Sequence, residues 1–310
     1  MIGQLALIEQ AMDARTLAQL ASMELRARAI VEGHYSGQHR SPYRGASVEF
    51  ADHRQYSHGD ELRHLDWKLY GRSDRFFVKE YDAETNLSVY LVVDSSGSMG
   101  YPALTRRSGF QPDKLACASY LAAGLAYLAY RQRDAVGLMT FDTAVRDMLV
   151  PLTQRGHLQR VFEVLERLEP GGETDTAASL ERVGALAKRR GLIVLLSDLL
   201  DEPEPLLRAL QHFRHRGHDV IVFQVLDRSE LDFDFRGPLV VQDLETSRRL
   251  ATDAGEIRAE YVNAMADHLQ LLGEGCRQHR IDHEVFLTDR PFGAALTAYL
   301  ARRRRTVPRP

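Results

Sequence analysis

The chain has little cysteine: Cys117 and Cys276 are the two among 310 residues, they lie far apart, and each falls in an expected helix. They offer no disulfide framework, so a reduced, intracellular setting is the simpler expectation. No stretch reaches the ~18 consecutive apolar residues of a spanning helix, and the N-terminus lacks a basic region leading into an uninterrupted apolar core. The expectation is a soluble, cytoplasmic protein without membrane insertion. A predominance of either charge is also missing. Forty Lys and Arg against 43 Asp and Glu leave a net −3, which argues against a general binder of nucleic acid or acidic membranes. Three catalytic signatures are absent as well. There is no Gly-x-x-x-x-Gly-Lys phosphate loop, no second Asp two residues after Asp94 as a phosphoaspartyl phosphatase needs, and no nucleophile elbow at Ser98, because Gly97 immediately precedes it.

What is present begins at Leu87-Ser88-Val89-Tyr90-Leu91-Val92-Val93, a β-branched and apolar run with the composition of a strand buried on both faces. It leads into Asp94-Ser95-Ser96-Gly97-Ser98-Met99. Asp94, Ser96 and Ser98 offer one carboxylate and two hydroxyls at alternate positions, and Gly97 lets the backbone turn so that all three face one place. Oxygen donors with few formal charges suit Mg²⁺ or Mn²⁺ rather than zinc. Alone, the same residues make a common turn or helix cap. A tight site needs more ligands from the ends of neighbouring strands. Two segments offer them: the glycine-led loop Gly171-Gly172-Glu173-Thr174-Asp175-Thr176, and the buried run Leu192-Ile193-Val194-Leu195-Leu196-Ser197 ending at Asp198.

Asp-x-Ser-x-Ser, a Gly-Gly-x-Thr loop and a strand-end Asp, in that order, resemble the metal-ion-dependent adhesion site of von Willebrand factor A domains. The resemblance implies five ligand positions, Asp94, Ser96, Ser98, Thr174 and Asp198. Thr174 is preferred to Thr176 because it takes the first Thr of the family's Thr-x-Thr pattern.

A second resemblance rests on Arg54-x-Tyr56-x-x-Gly59-Asp60-x-x-Arg63-x-x-Asp66-Trp67, with His39-x-Ser41 and Gly45 before it and Val78-Lys79-x-Tyr81-x-x-Glu84 after it. The chain is similar to the DUF58 family of bacterial proteins, in which this signature runs into a von Willebrand-type domain. Ser197-Asp198, Gly217-His218-Asp219-Val220 and Thr288-Asp289 extend the match. The implied organisation is an N-terminal helix and strand extension over 1–86, a von Willebrand factor A-like domain over 87–303 and a basic tail over 304–310. The implied role is that of a partner or adaptor of a MoxR-type AAA+ ATPase, with no established catalysis. Within the signature, Arg63 and Trp67 read either as a fastening, with Arg63 paired to Asp60 or Asp66, or as a partner-docking surface.

The rest of the chain predicts an α/β fold with a doubly wound, Rossmann-like, mostly parallel sheet. Apolar spacing predicts a helix from Ala14 to Glu32 stopped by Gly33, then helices over 113–133, 153–168, 176–190, 205–216, 256–280 and 292–303. Strands are expected over 135–141 and 144–150, joined as a hairpin through Asp142-Thr143, and over 192–197, 220–226 and 283–288; 228–255 reads as irregular. Short strand-like pieces also stand at 46–50 and 75–79. His212, His215 and His218, interleaved with Arg214 and Arg216, read as a solvated surface rather than a zinc site. Arg302 to Arg305 read as a helix end whose charge complements the macrodipole.

What the two resemblances imply is a non-enzymatic function. A Mg²⁺ or Mn²⁺ ion held by two carboxylates and three hydroxyls keeps a position for a carboxylate from an acidic protein partner, the ATPase or its client. The alternative is a Mg-dependent hydrolase using the same metal, for which Glu173 and Asp175 are the nearby candidate bases.

Overall fold

The computed structural model describes residues 14–18, 20–37, 50–55, 70–71, 76–81, 87–102, 112–172, 175–246 and 248–306. These fall into two compact units, one containing 14–37 and 87–306, the other the described parts of 40–86. The Asp60, Arg63, Asp66 and Trp67 segment lies outside the described residues.

Two helices open the first unit, α1 (Ala14–Ala18) and α2 (Met23–Gly37), where the sequence predicts one continuous helix. Arg26 reaches back to donate to the carbonyls of Leu17 at 3.1 Å and Leu20 at 2.9 Å, satisfying acceptors that a helix end leaves open. Gly33 does not stop α2, because Ile30, Val31 and His34 are buried around it and their packing outweighs the local propensity. The second unit contains β1 (Phe50–Gln55) and β2 (Phe77–Tyr81), paired antiparallel, and the stacked rings of Tyr70 and Phe76.

The rest of the first unit follows in chain order: β3 (Ser88–Asp94), a 3₁₀ turn over Gly97–Gly100, α3 (Lys114–Arg131), β4 (Ala135–Phe141), β5 (Val145–Leu152), α4 (Arg155–Glu166) and α5 (Thr176–Leu186). Then come β6 (Leu192–Ser197), α6 (Pro203–His215), β7 (Asp219–Leu226), α7 (Arg228–Asp232), β8 (Pro238–Gln242), β9 (Arg249–Asp253), α8 (Ala254–Gln278), β10 (Asp282–Leu287) and α9 (Gly293–Thr306). The six-stranded sheet has the order β10-β7-β6-β3-β4-β5, parallel except for β5, which returns antiparallel to β4 as the expected hairpin. This is the doubly wound, Rossmann-like, von Willebrand factor A-like arrangement that the sequence predicts.

Strand residues alternate between two cores. Val89, Leu91 and Val93 pack with α1 to α4 and α9 on one face, while Tyr90 and Val92 pack with α5, α6 and α8 on the other. Each fully buried Val or Leu contributes roughly 1.5–3 kcal/mol, which explains why a run without polar alternation folds as a central strand. From β3 the chain goes to β4 on one side and later to β6, β7 and β10 on the other. The switch point therefore opens a crevice at the carboxyl ends of β3 and β6, the place where open α/β sheets bind ligands. The 228–255 stretch, read as irregular, contains α7 and the separate β8–β9 ribbon. Among the described residues no helix is long and apolar enough to cross a membrane, and both cysteines are free and buried.

Candidate metal site

The switch-point crevice receives Asp94 from the end of β3 and Asp198 from the residue after β6. Asp94 is 1 % exposed, and both its oxygens are engaged. Oδ1 accepts the backbone N–H of Ser96 at 2.9 Å and Oδ2 accepts the Ser197 hydroxyl at 2.6 Å. Those bonds fix the carboxylate but leave further lone pairs for a cation. Burial, with Asp198 nearby, pushes the Asp94 carboxyl up to about 7, against the pull of the hydrogen bonds from Ser197 and Ser96. A neighbouring cation would relieve that penalty.

Past Asp94 the backbone is held from several sides. The amide and hydroxyl of Ser95 both donate to the Phe141 carbonyl, Gly97 N–H donates to Gly172 O at 3.1 Å, and Gly171 N–H donates to Ser95 O at 3.0 Å. The glycine-led loop thus docks on the Ser95–Gly97 turn. Ser96 heads the 3₁₀ turn, yet its side chain makes no cap hydrogen bond. Its hydroxyl instead lies 3.1 Å from that of Ser98. Two adjacent ligands of an octahedral ion with ~2.1 Å bonds stand about 3.0 Å apart, so the Ser96 and Ser98 oxygens have a spacing one Mg²⁺ can span.

Asp94, Ser96, Ser98 and Asp198 are therefore brought together, and their donor chemistry fits the ion that the sequence implies. Thr174 and Glu173 lie outside the described residues. Thr176, the alternative hydroxyl, lines the same cleft of about 200 Å³ with Ser96, Ser98, Asp198, Leu200, Asp201, Asp243 and Glu245. Asp201 also accepts the Thr176 N–H at 3.2 Å. Asp175 is otherwise employed, its carboxylate capping α5 by accepting Ala178 N–H at 3.0 Å. Among the described residues, no three His, Cys, Asp or Glu side chains are grouped to hold a metal, so a cation in this cleft would need hydroxyl donors as well.

Three contributions escaped the sequence reading. Ser197 orients Asp94. The tip between β8 and β9 brings Asp243 and Glu245 to the cleft, and the Leu244 carbonyl packs so close to Gly97 that a Cβ there would stand 2.8 Å from it. Lys114, the first residue of α3, is fully buried and donates at 2.7 Å both to Asp198 Oδ2 and to Glu230 Oε1. Burial alone would lower its pKa, but the two carboxylates outweigh burial and hold it raised. The one available signal was a cation at a helix N-terminus, where the macrodipole disfavours it.

The histidine and arginine clusters have structural explanations. His212 and His215 are exposed, as expected, but His218 is buried and edge-on to the rings of Tyr90 and Phe213, which corrects its assignment to a solvated surface. Arg302 pairs with Asp219 and Asp282, and Arg303 with Asp134, so these two tie α9 to the unit as well as placing positive charge near its end.

Residues 52–270 match the family model described as "Protein of unknown function DUF58". The uncharacterized protein Rv1480 of Mycobacterium tuberculosis is 26% identical over 298 residues, covering 94% of this chain and 91% of its own. Among solved structures, the conserved hypothetical protein BatB from Bacteroides thetaiotaomicron aligns at 14% identity over 71% of this chain and 98% of its own, with a TM-score of 0.47. The SpRpn10 VWA domain aligns at 10% identity over 69% of this chain and 94% of its own, with a TM-score of 0.38.

Proposed function

The chain belongs to the DUF58 family, and from that premise we propose that it is a metal-dependent protein-interaction module rather than an enzyme. The observation that carries this reading is that Ser96, Ser98 and Asp198 line one cleft at the switch point, with the buried Asp94 carboxylate beside them and the two serine hydroxyls 3.1 Å apart. Asp94, Ser96, Ser98 and Asp198 would hold Mg²⁺ or Mn²⁺, with Thr174 as the fifth position. The ion would supply a hard positive centre to which a partner's carboxylate binds. The protein's own residues do the rest: Ser197 and the Ser96 amide fix Asp94, and the docked glycine loop holds the turn.

One observation supports binding over turnover: of the two carboxylates offered as a hydrolytic base, Asp175 is engaged in capping α5. The partner class follows from the DUF58 resemblance: a MoxR-type AAA+ ATPase or a client it remodels, presenting an acidic residue.

Calorimetric titration of EDTA-stripped protein with MgCl₂ and MnCl₂, with Asp94→Ala in parallel, tests the site. The expected result is saturable one-site binding by the wild type that the folded variant loses; silence from the wild type overturns the reading. Capture of the ATPase in Mg²⁺ but not in EDTA is the expected outcome for the partner, and equal capture in both sinks the metal dependence.

A further inference from the structure

Lys114 has no exposed surface, and its ammonium sits between Asp198 and Glu230, 2.7 Å from an oxygen of each. The arrangement is braced on every side. Asp113 caps α3 through the Ala116 N–H at 2.7 Å, the Lys114 amide donates to Tyr101 O at 3.0 Å, and the Tyr101 hydroxyl lies 2.8 Å from that of Ser229 in α7. Glu230 also accepts the Asp227 N–H at 2.7 Å, completing the capping box of α7. Gln224 donates to the Asp198 carbonyl at 2.8 Å, fixing the backbone from which the carboxylate springs. A buried ammonium is costly unless paired, and such precise pairing beside an anionic crevice calls for a reason beyond packing.

We propose that Lys114 is a positioning residue of the crevice: a built-in cation that holds one oxygen of Asp198 and thereby restrains the affinity of the site for a divalent metal. The inference rests on the metal-dependent reading above. With Asp94 and Asp198 ionised, the pair carries two negative charges, and Lys114 cancels one before any ion arrives. Glu230 in turn draws part of the lysine's charge away from Asp198. The three side chains therefore set the electrostatic attraction of the site, with Lys114 and Glu230 acting in opposite senses. A site restrained in this way exchanges its ion readily and engages strongly only when the partner's carboxylate adds its own negative charge.

The test is calorimetric Mg²⁺ titration of wild type, Lys114→Met and Glu230→Gln, with melting temperatures in EDTA. Glutamine has one acceptor oxygen for the capping box of α7, so Glu230→Gln keeps the shape and the cap while removing both the charge and the acceptor that faces Lys114. Lys114→Met is expected to melt lower in EDTA yet bind Mg²⁺ roughly tenfold more tightly or better, since a like charge close to the ion is gone. Glu230→Gln is expected to bind several-fold more weakly, at about that scale or below. A purely structural lysine would lower the melting temperature and leave the metal affinity unmoved, and that result overturns the proposal. Should Lys114→Met fail to fold, Glu230→Gln decides: weaker binding supports the proposal, unchanged or tighter binding overturns it. A wild type that binds no Mg²⁺ at all marks failure of the metal-dependent reading itself, whereas a binding wild type with unresponsive variants marks failure of the lysine's role alone.

Discussion

At Gly97 a single methyl group has no place to go. A Cβ there would lie 2.8 Å from the Leu244 carbonyl oxygen and 3.2 Å from that of Gly172, both backbone atoms that cannot rotate aside. Gly97→Ala is therefore expected to lower stability by about 1–3 kcal/mol and to weaken Mg²⁺ binding, because the turn carrying Ser96 and Ser98 must shift. Gly156→Ala, in the first turn of α4 with nothing within 4 Å of the added carbon, is the control, and should hold or slightly raise stability. Urea denaturation of both reads the difference; equal midpoints would mean that the hairpin tip yields freely. The same scale separates what could be read from sequence. Asp94, Ser96 and Ser98 were legible because a continuous buried strand delivers them. Lys114 was not, because its partners Asp198 and Glu230 lie 84 and 116 residues away, and a lysine after an aspartate otherwise reads as solvated.

Elements were legible in proportion to how far burial dictates their pattern. β3, β6 and β7 are almost wholly buried and appear in the sequence as unbroken apolar runs, so their ends fixed the place of Asp94 and Asp198. The β8–β9 ribbon is the opposite case. Val240 and Leu250 are both 63 % exposed, and no buried face imposes a period of two on their strands, so the stretch looked irregular. The helix ends carry their own test. Asp175 accepts the Ala178 N–H, and it was also a candidate base of the hydrolase reading. Asp175→Ala is expected to cost about 1 kcal/mol in unfolding free energy, the usual loss of an N-cap, and to leave the Mg²⁺ affinity unchanged. A collapse of metal binding in a variant this mildly destabilised would show that the residue serves the crevice and not the helix.

The stability of the whole molecule should carry a histidine-dependent response to acid. Burial holds His34, His218 and His283 below their ordinary value near 6.5, with the charge of His268 adding to the effect at His283. A histidine whose folded pKa is depressed binds a proton more readily in the unfolded chain, so its contribution is fully present above about 6.5 and is lost as pH falls toward the folded value. Asp113 and Asp134, raised chiefly by burial, act in the opposite sense: their contribution is present at low pH and lost as pH rises through the folded values. The net profile mixes the two, so the comparison must remove one group. His218 serves, because the groups around it are identifiable. The rings of Tyr90 and Phe213 meet it edge-on, and the charges of Arg216 and Arg190 oppose its protonation, while Arg214 donates to its carbonyl. His218→Phe keeps a flat ring among those neighbours and removes the titration. Between pH 6.5 and the folded pKa, the wild type should lose stability relative to this variant by up to about 1.4 kcal/mol per pH unit, the slope of one proton. Urea midpoints for the two proteins over that range test the assignment. A constant difference between them would mean that His218 is protonated equally in the folded and unfolded chains, and that its burial between Tyr90 and Phe213 does not keep the ring neutral.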